Sequence, residues 1–222
     1  RGLDGTDYVA FGTEKQLLIL LGGQFYDITP LRATSSLGSN PLSTTNGSNV
    51  VTVTDNSHGA VADEIVTFSN ASVFNNVTID GAYQITEVVN ANSYKITAAT
   101  TANATGAGGG SGITAKHLIG KSEGMLNASA STALGWGTGS WGDGTWNTAR
   151  STGVVTLELT IWSLELWGED LIATVNNNQM YHWDTSGGVT SRATVISDAP
   201  IKNRFSIISF PDRHLVSMGA YD

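Results

Sequence analysis

The stretch KQLLILLGGQFYDITP, residues 15–30, decides the fold class of this chain. Its first half is a short apolar run, and its second half carries the aromatic pair Phe25 and Tyr26. Between the two halves stand Gly22 and Gly23, which readily take the positive φ angles that a tight hairpin turn requires. The stretch therefore predicts two antiparallel strands joined by a short turn.

The same arrangement recurs in the second half of the chain. Residues 170–184, DLIATVNNNQMYHWD, place an Asn-rich turn between an apolar strand and an aromatic one, and residues 213–222, RHLVSMGAYD, repeat only the first strand. Repeated hairpins are typical of β-propeller blades, which need roughly 40–50 residues each and at least four blades for a closed ring. Residues 1–36 and 113–222 are therefore predicted to form propeller-like blades of a partial ring. Either residues outside this chain complete the ring or the sheets close by another route; we favour the former, since both ends stop within a repeat.

Residues 37–112 differ from their surroundings and predict an inserted domain. They are rich in Thr, Val, Asn and Ala, and their low-complexity flanks, Ser35 to Asn49 and Thr100 to Gly112, are typical of linkers. We expect a small β-barrel or sandwich, hung on one loop of the propeller-like part. Its predicted strands are Val50–Thr54, Glu64–Ser69, Tyr83–Val89 and Ser93–Ala98.

The composition agrees with an all-β fold. Only 14% of the 222 residues are charged, and 26 are glycine, while Thr, Asn and Ser suit sheets and turns. The 11 basic residues are scattered singly against 19 acidic residues, which gives a net charge of −8. A protein that grips duplex DNA would instead carry a basic stripe. The longest apolar run, Leu17 to Leu21, is far below the ~20 residues of a membrane-spanning helix, so no membrane-spanning segment is predicted.

The sequence predicts no catalytic, cofactor-binding or metal-binding residues. There is no cysteine, which excludes disulfides and thiolate chemistry. The histidines have no metal-ligand spacing, and surface or turn positions are expected for them. These histidines are His58, His117, His182 and His214. Residues 55–58, DNSH, resemble the start of a calcium loop, but no downstream Glu completes it and a β-turn is expected.

One group of carboxylates invites comparison with glycoside hydrolases. Glu165, Glu169 and Asp170 stand close together in the sequence, and paired carboxylates carry that reaction. They flank an apolar strand that ends at Gly168, however, and spacing alone does not set the distance between them. The chain is therefore predicted to be no enzyme.

Three tryptophans form the most specific feature of the sequence. Trp136, Trp141 and Trp146 recur every five residues within the Gly-rich run LGWGTGSWGDGTWNT, residues 134–148. A five-residue step fits neither a helix nor a strand, so a shaped loop is predicted. The loop could cap its own sheet, anchor on another subunit as interface tryptophans do, or stack on sugar rings. We take the three tryptophans as candidate interface residues.

Several motifs together resemble a family of phage virion proteins. In the propeller-like parts they are GTWNTAR (144–150), LTIWSLELWGEDLIA (159–173), YHWD (181–184), FYDITPLR (25–32), NRF (203–205) and PDRHLV (211–216). In the insert they are VTVTDNSHG (51–59) and YKIT (94–97). The chain is similar in these motifs to the propeller-forming tail hub or nozzle proteins of short-tailed phages, which are related to packaged-DNA stabilisation proteins.

The resemblance implies a structural virion protein that is assembled in the host cytoplasm and has no cofactor. It implies a homo-oligomeric ring, expected to be a hexamer, through whose lumen genomic DNA passes without specific binding. The expected partners are tail adaptor or portal-side proteins and tail fibres. The alternative function is a receptor- or glycan-binding tail fibre module that uses the tryptophan loop. An enzyme, such as a propeller glycosidase, would need a carboxylate cluster at the propeller axis.

Overall fold

The structure is a computed structural model, and it describes residues 5–119 and 161–220. Within these residues the chain consists of β-strands and one short 3-10 helix, Thr185–Gly187. The strands are β1 (Val9–Gly12), β2 (Leu17–Leu21), β3 (Gln24–Asp27), β4 (Leu31–Ser36), β5 (Leu42–Thr44), β6 (Val50–Thr54), β7 (Ile65–Ser69), β8 (Gly81–Asn90), β9 (Ser93–Thr97), β10 (Gly106–Gly108), β11 (Thr114–Leu118), β12 (Trp162–Trp167), β13 (Asp170–Val175), β14 (Met180–Trp183), β15 (Thr194–Val195), β16 (Phe205–Ile208) and β17 (Leu215–Met218). The prediction of an all-β fold is confirmed.

Strands β4 to β11 form one curled eight-stranded sheet, called the half-barrel below. Its order is β10-β5-β6-β9-β8-β7-β11-β4, and every neighbouring pair is antiparallel. The long strand β8 pairs with β7 through its first residues and with β9 through its last. Register shifts between Ile85 and Glu87 and between Val88 and Asn90 increase the local twist where the sheet curls.

The inner face of the half-barrel encloses an apolar core because its strands alternate. In β6, Val51 and Val53 are buried and Thr52 between them is only half-buried. In β9, Tyr94 and Ile96 are buried in the same way. Side chains at every second position of a strand share one face, so this alternation places the apolar set inside.

The flanks Ser35 to Asn49 and Thr100 to Gly112 were predicted to be linkers, but they contain strands β5 and β10. The prediction of linkers is therefore wrong. β5 and β10 pair with each other at the edge of the half-barrel. β10 is built from Gly and Ala, because Phe74 packs directly on its backbone and a Cβ at Gly108 would lie 2.1 Å from the Phe74 ring. Strands of such small residues give little hydrophobic signal in a sequence.

The half-barrel extends beyond residues 37–112 at both ends. β4 and β11 lie outside those bounds, pair with each other, and join the sheet because β11 also pairs with β7. The sheet therefore begins at Leu31 and ends at Leu118. At this junction the Ile119 amide donates to the Pro30 carbonyl at 3.0 Å.

The remaining strands form three smaller sheets, which together are called the sheet stack. The first sheet is β1-β2-β3, the central sheet is β12-β13-β14-β15 and the terminal hairpin is β16-β17. The two hairpin turns predicted from sequence are present, with φ of 59° and 82° at Gly22 and Gly23 and 59° at Asn177. The central sheet has four antiparallel strands in chain order, as a propeller blade does. A propeller ring stays a prediction.

A second apolar core lies between the first sheet and the central sheet. Leu17 and Ile19 of β2 pack with Leu171, Ala173 and Val175 of β13. Trp183 is the largest side chain of this core. It is fully buried and makes an edge contact with Tyr8 at 5.6 Å between ring centroids. The first sheet is thereby fixed on one face of the central sheet.

The terminal hairpin packs on the opposite face of the central sheet through small polar side chains. Thr174 Oγ1 and Ser206 Oγ lie 2.7 Å apart, both fully buried, and Ser163 Oγ donates to the Ser206 carbonyl at 2.7 Å. Thr174 points away from the apolar core because it alternates with Ala173 and Val175. The order of layers is therefore first sheet, central sheet, terminal hairpin.

Candidate functional site

The tryptophans chosen from the sequence, Trp136, Trp141 and Trp146, lie outside the described residues. Their assignment to an interface stays a prediction. Among residues 5–119 and 161–220, no three His, Asp or Glu side chains form a group that could hold a metal ion. The described part of the chain also has no helix long and apolar enough to cross a membrane.

Asp170, one of the three carboxylates compared with those of glycoside hydrolases, makes hydrogen bonds to neighbouring residues. Its Oδ2 lies 3.0 Å from Nε2 of His182, and its Oδ1 accepts hydrogen bonds from the Thr185 amide and hydroxyl, both at 3.0 Å. Burial would raise the pKa of Asp170, but the bonds from Thr185 and His182 outweigh it and lower that pKa. Asp170 thus fixes the turn after β14.

The half-barrel holds a charged network that its sequence spacing does not reveal. Nε2 of His117 lies 2.9 Å from Oδ2 of Asp55, and Nδ1 lies 3.2 Å from Oε1 of Glu64. The second contact is an ion pair by distance, but its geometry leaves Nδ1 of His117 without a hydrogen-bond partner. All three side chains are at most 3% exposed. The network is therefore part of the core.

Arg32 connects this network to the surface. Its Nη2 and Nε donate to Oε1 of Glu64 at 2.7 and 3.2 Å, and its Nη1 donates to the His58 carbonyl at 3.1 Å. The other oxygen of Glu64 accepts from the Val61 amide at 3.1 Å. The charges of Asp55 and Glu64 balance those of Arg32 and His117 when the imidazole is protonated, so the buried group is then neutral as a whole.

Two histidines are buried, and the expectation of a surface or turn position is wrong for His117, which lies within β11. His58 is 4% exposed and stacks with His117 at 6.5 Å between ring centroids. Nδ1 of His58 accepts from the Ala60 amide and its Nε2 donates to the Asn90 carbonyl, both at 2.9 Å. The turn expected at residues 55–58 is present. His58 orders this turn beneath the network.

The pKa values in the network move in opposite directions. Burial raises the pKa of Glu64, but the neighbouring imidazole of His117 and the hydrogen bonds and charge of Arg32 outweigh it, and the net shift is downward. Burial lowers the pKa of His117, but the carboxylates of Asp55 and Glu64 outweigh it, and the net shift is upward. Both shifts favour the charged forms.

The half-barrel is expected to be most stable between about pH 4.5 and 6.5, the ordinary pKa values of Glu and His. The raised pKa of His117 gives stability that is complete below pH 6.5 and lost as pH rises through its folded pKa. The lowered pKa of Glu64 gives stability that is complete above pH 4.5 and lost as pH falls through its folded pKa. Urea unfolding near pH 5.5 and near pH 8.5 measures the alkaline loss.

The variant His117→Gln is the control for that expectation. It lacks the titrating imidazole, so its stability should change much less between the two pH values. An equal alkaline loss in wild type and variant would show that another group causes it.

A groove of about 680 Å³ lies between the half-barrel and the central sheet. Leu31, Val61 and Ile119 give it an apolar wall, and Arg32 and Arg192 lie at its polar side. Arg192 donates to Oδ2 of Asp27 at 2.8 Å and to the Thr29 carbonyl at 2.7 Å. Both arginines are thus paired with carboxylates, and Arg192 ties the central sheet to the segment that enters the half-barrel.

The two outer faces of the sheet stack are apolar. On the first sheet Val9, Phe11 and Phe25 are 49%, 40% and 63% exposed. On the terminal hairpin the exposed apolar side chains are Phe205, Ile207, Val216 and Met218, each between 37% and 44% exposed. Sequence reasoning missed both surfaces, although an apolar run such as Leu17–Leu21 is typical of a strand that is covered on both faces.

The alternation of buried and exposed positions along the strands could have predicted the network, because its charged residues stand at buried positions. Asp55 continues the buried series Val51, Val53, and Glu64 precedes Val66 with the same two-residue step. His117 follows Ala115 in the same way. A charged residue at an inward position of a strand needs a partner, and these three supply it to one another.

No protein-family profile matches the chain. No curated protein matches it either. Among solved structures the chain is similar to one described as phage phi92 endosialidase, at 13% sequence identity and a TM-score of 0.35. The match covers 96% of this chain and 34% of that chain, so this chain spans about a third of its length. A likeness at this level establishes neither a shared activity nor a shared family.

Proposed function

We propose that this chain is a non-enzymatic structural module of a tailed-phage tail, part of a ring at the hub or nozzle. The observation that carries the proposal is the sheet stack: three antiparallel sheets in layers, whose outermost faces are apolar and exposed. Surfaces of that kind are a liability on a free monomer and mark contacts with partners. Several of the motifs that resemble hub and nozzle proteins, among them YHWD (181–184) and PDRHLV (211–216), lie in this stack.

The buried network supports a structural role over a catalytic one. Its charged groups pair with each other inside the core, and a catalytic carboxylate or imidazole must instead reach a substrate. Arg32 is its most exposed member, with 30% of the side chain accessible, and Arg32 is held by Glu64. The network thus stabilises the half-barrel.

The remaining parts of the proposal follow from the resemblance and the charge. The ring is a homo-oligomer of the virion, contacts adaptor or portal-side proteins and fibres, and lets DNA pass. The net charge of −8 agrees with a lumen that repels DNA rather than binding it. The tryptophans Trp136, Trp141 and Trp146 are proposed to anchor one subunit on its neighbour.

A phage genome carrying Trp141→Ala tests this function. Anchoring tryptophans at interfaces typically contribute about 2 kcal/mol or more each, so tail assembly should be impaired while the isolated subunit stays folded. Ser140→Ala in the same run is the matched control and should assemble normally. Normal assembly with loss of attachment to cells would favour the receptor-binding alternative. Absence of the chain from purified particles, read by mass spectrometry, would contradict a virion role.

A further inference from the structure

A second cavity, of about 410 Å³, lies in the half-barrel beside the ends of strands β4 and β6. Its walls are the last two residues of β4, the segment 37–41 that connects β4 to β5, and residues 54–56. Strand β4 is one edge of the curled sheet, and β6 lies near the other edge, so residues from both sides of the half-barrel meet here. Ligand sites often lie in the mouths of β-barrels, with volumes of roughly 300–1,000 Å³.

Main-chain hydrogen bonds hold the walls of this cavity in place. The Asn40 amide donates to the Gly110 carbonyl at 2.7 Å, and the Asn40 side-chain oxygen accepts from the Gly110 amide at 3.2 Å. The Thr54 amide donates to the Pro41 carbonyl at 2.8 Å. A cavity whose walls are already fixed spends little free energy on ordering them when a ligand binds.

Asp55 is the only charged residue among those that line the cavity in the described part of the chain. It is 3% exposed, and its Oδ2 lies 2.9 Å from Nε2 of His117. No donor in the described residues has hydrogen-bond geometry toward its Oδ1. A carboxylate oxygen that is largely removed from water gains from any donor that reaches it. A ligand hydroxyl in the cavity would supply that donor.

The other polar side chains of the cavity are also available to a ligand. Within residues 5–119 and 161–220 their hydroxyl and amide groups make no hydrogen bond. These side chains are Ser35, Ser36, Ser39, Thr54 and Asn56. Leu37 and Pro41 add a small apolar part to the same cavity. The cavity thus offers hydrogen-bond donors, acceptors and an apolar patch together.

The charge of the cavity favours an uncharged ligand. No Lys or Arg is among the described residues that line it, so an anion would find no opposite charge. The charge of Asp55 is balanced by the protonated imidazole of His117, so a cation would gain little. Each hydroxyl of a sugar both donates and accepts, which suits a carboxylate surrounded by hydroxyls and an amide. The C–H groups of a sugar ring suit Leu37 and Pro41.

We propose that this cavity binds one sugar ring of an uncharged saccharide, with Oδ1 of Asp55 accepting from a sugar hydroxyl and with Ser39 and Thr54 bonding to its neighbours. The site goes beyond the proposed function, which gives the half-barrel a stabilising role only, and it does not use the tryptophan loop. None of the described residues that line the cavity is aromatic. A single ring is therefore expected to bind weakly, with a Kd in the millimolar range.

Titration of the whole chain with glucose, galactose and N-acetylglucosamine, followed by amide NMR spectra, tests the site. At least one sugar should shift the amide signals of residues 35–41 and 54–56 together and to saturation. Thr54→Val replaces the hydroxyl by a methyl group of similar size and should raise the Kd roughly 2- to 10-fold, as loss of one hydrogen bond does. Thr52→Val is the matched control, because Thr52 lies in the same strand but does not line the cavity. Its Kd should equal that of the wild type.

Three results would overturn the proposal. The first is that none of the three sugars gives a saturable shift at these residues. The second is that methylammonium or calcium chloride gives one and the sugars do not, which would make the cavity a cation site. The third is an equal loss of affinity in Thr54→Val and Thr52→Val. Should Thr54→Val unfold, Ser39→Ala repeats the test at an exposed position. The virion role is judged separately, by particle composition.

Discussion

Replacing Glu64 by Gln is expected to destabilise the half-barrel by about 3–5 kcal/mol, since removing one partner of a buried ion pair leaves the others uncompensated. Glu64 is 1% exposed and meets His117 on one side and Arg32 on the other. The amide keeps the shape of the carboxyl but not its charge, so the protonated imidazole of His117 loses one of its two anions. The free energy of unfolding from urea titration near pH 6 measures the loss.

Glu87→Gln is the matched control in the same sheet. Glu87 and Lys95 form an ion pair of 2.9 Å with 56% and 34% of their side chains exposed. A pair in solvent contributes at most about 1 kcal/mol, so this variant should be nearly neutral. Equal losses of stability from Glu64→Gln and Glu87→Gln would contradict the claim that burial makes the network's ion pairs strong. A neutral Glu64→Gln would show that the core tolerates the charge of His117 without this partner.

Trp183→Ala is expected to cost about 3–5 kcal/mol in the sheet stack, as truncation of a buried aromatic does. Trp183 is 2% exposed, lies against Tyr8, and donates from Nε1 to the Ser191 carbonyl at 3.2 Å. Its removal leaves a cavity between the first sheet and the central sheet. Thermal or urea unfolding followed by tryptophan fluorescence and circular dichroism should show the loss.

The matched control for that variant is Trp167→Ala. Trp167 is 43% exposed at the end of β12 and contacts His182 at its edge, so its loss should cost less than about 1 kcal/mol. Similar costs at both tryptophans would mean that the second core does not hold the stack together. The half-barrel has its own core, and its unfolding should respond to Glu64→Gln far more than to Trp183→Ala.

The strands with strong alternation or long apolar runs could be predicted from the sequence. Val50–Thr54 agrees with β6 in both bounds, and the hairpin turns at Gly22–Gly23 and Asn176–Asn178 follow from residues that accept positive φ. Strands β5 and β10 could not be predicted because each has only three residues. The edge strand β10 takes its order from Phe74 and from pairing with β5, and β5 takes its order from pairing with β10 and β6. The low complexity of β10 reflects the close packing of Phe74 on its backbone.

The charged network could not be found by spacing because the chain brings its members together from far apart. Asp55 and His117 are 62 residues apart, and their meeting depends on β11 pairing with β7. No local motif encodes such a contact. The outer faces of the stack were missed for a different reason: the sequence shows that a strand is apolar on both sides, but only the layer order shows which side stays uncovered.

The junction at Pro30 and Ile119 has a consequence for how the chain is organised. The first and last strands of the half-barrel, β4 and β11, run side by side, so the chain enters and leaves the half-barrel at two adjacent points. The entropy of closing a loop grows only slowly with its length, so the length of chain between these two points costs the sheet stack little. We therefore expect that another domain whose two ends emerge one strand spacing apart could replace the half-barrel while the sheets of the stack keep their register.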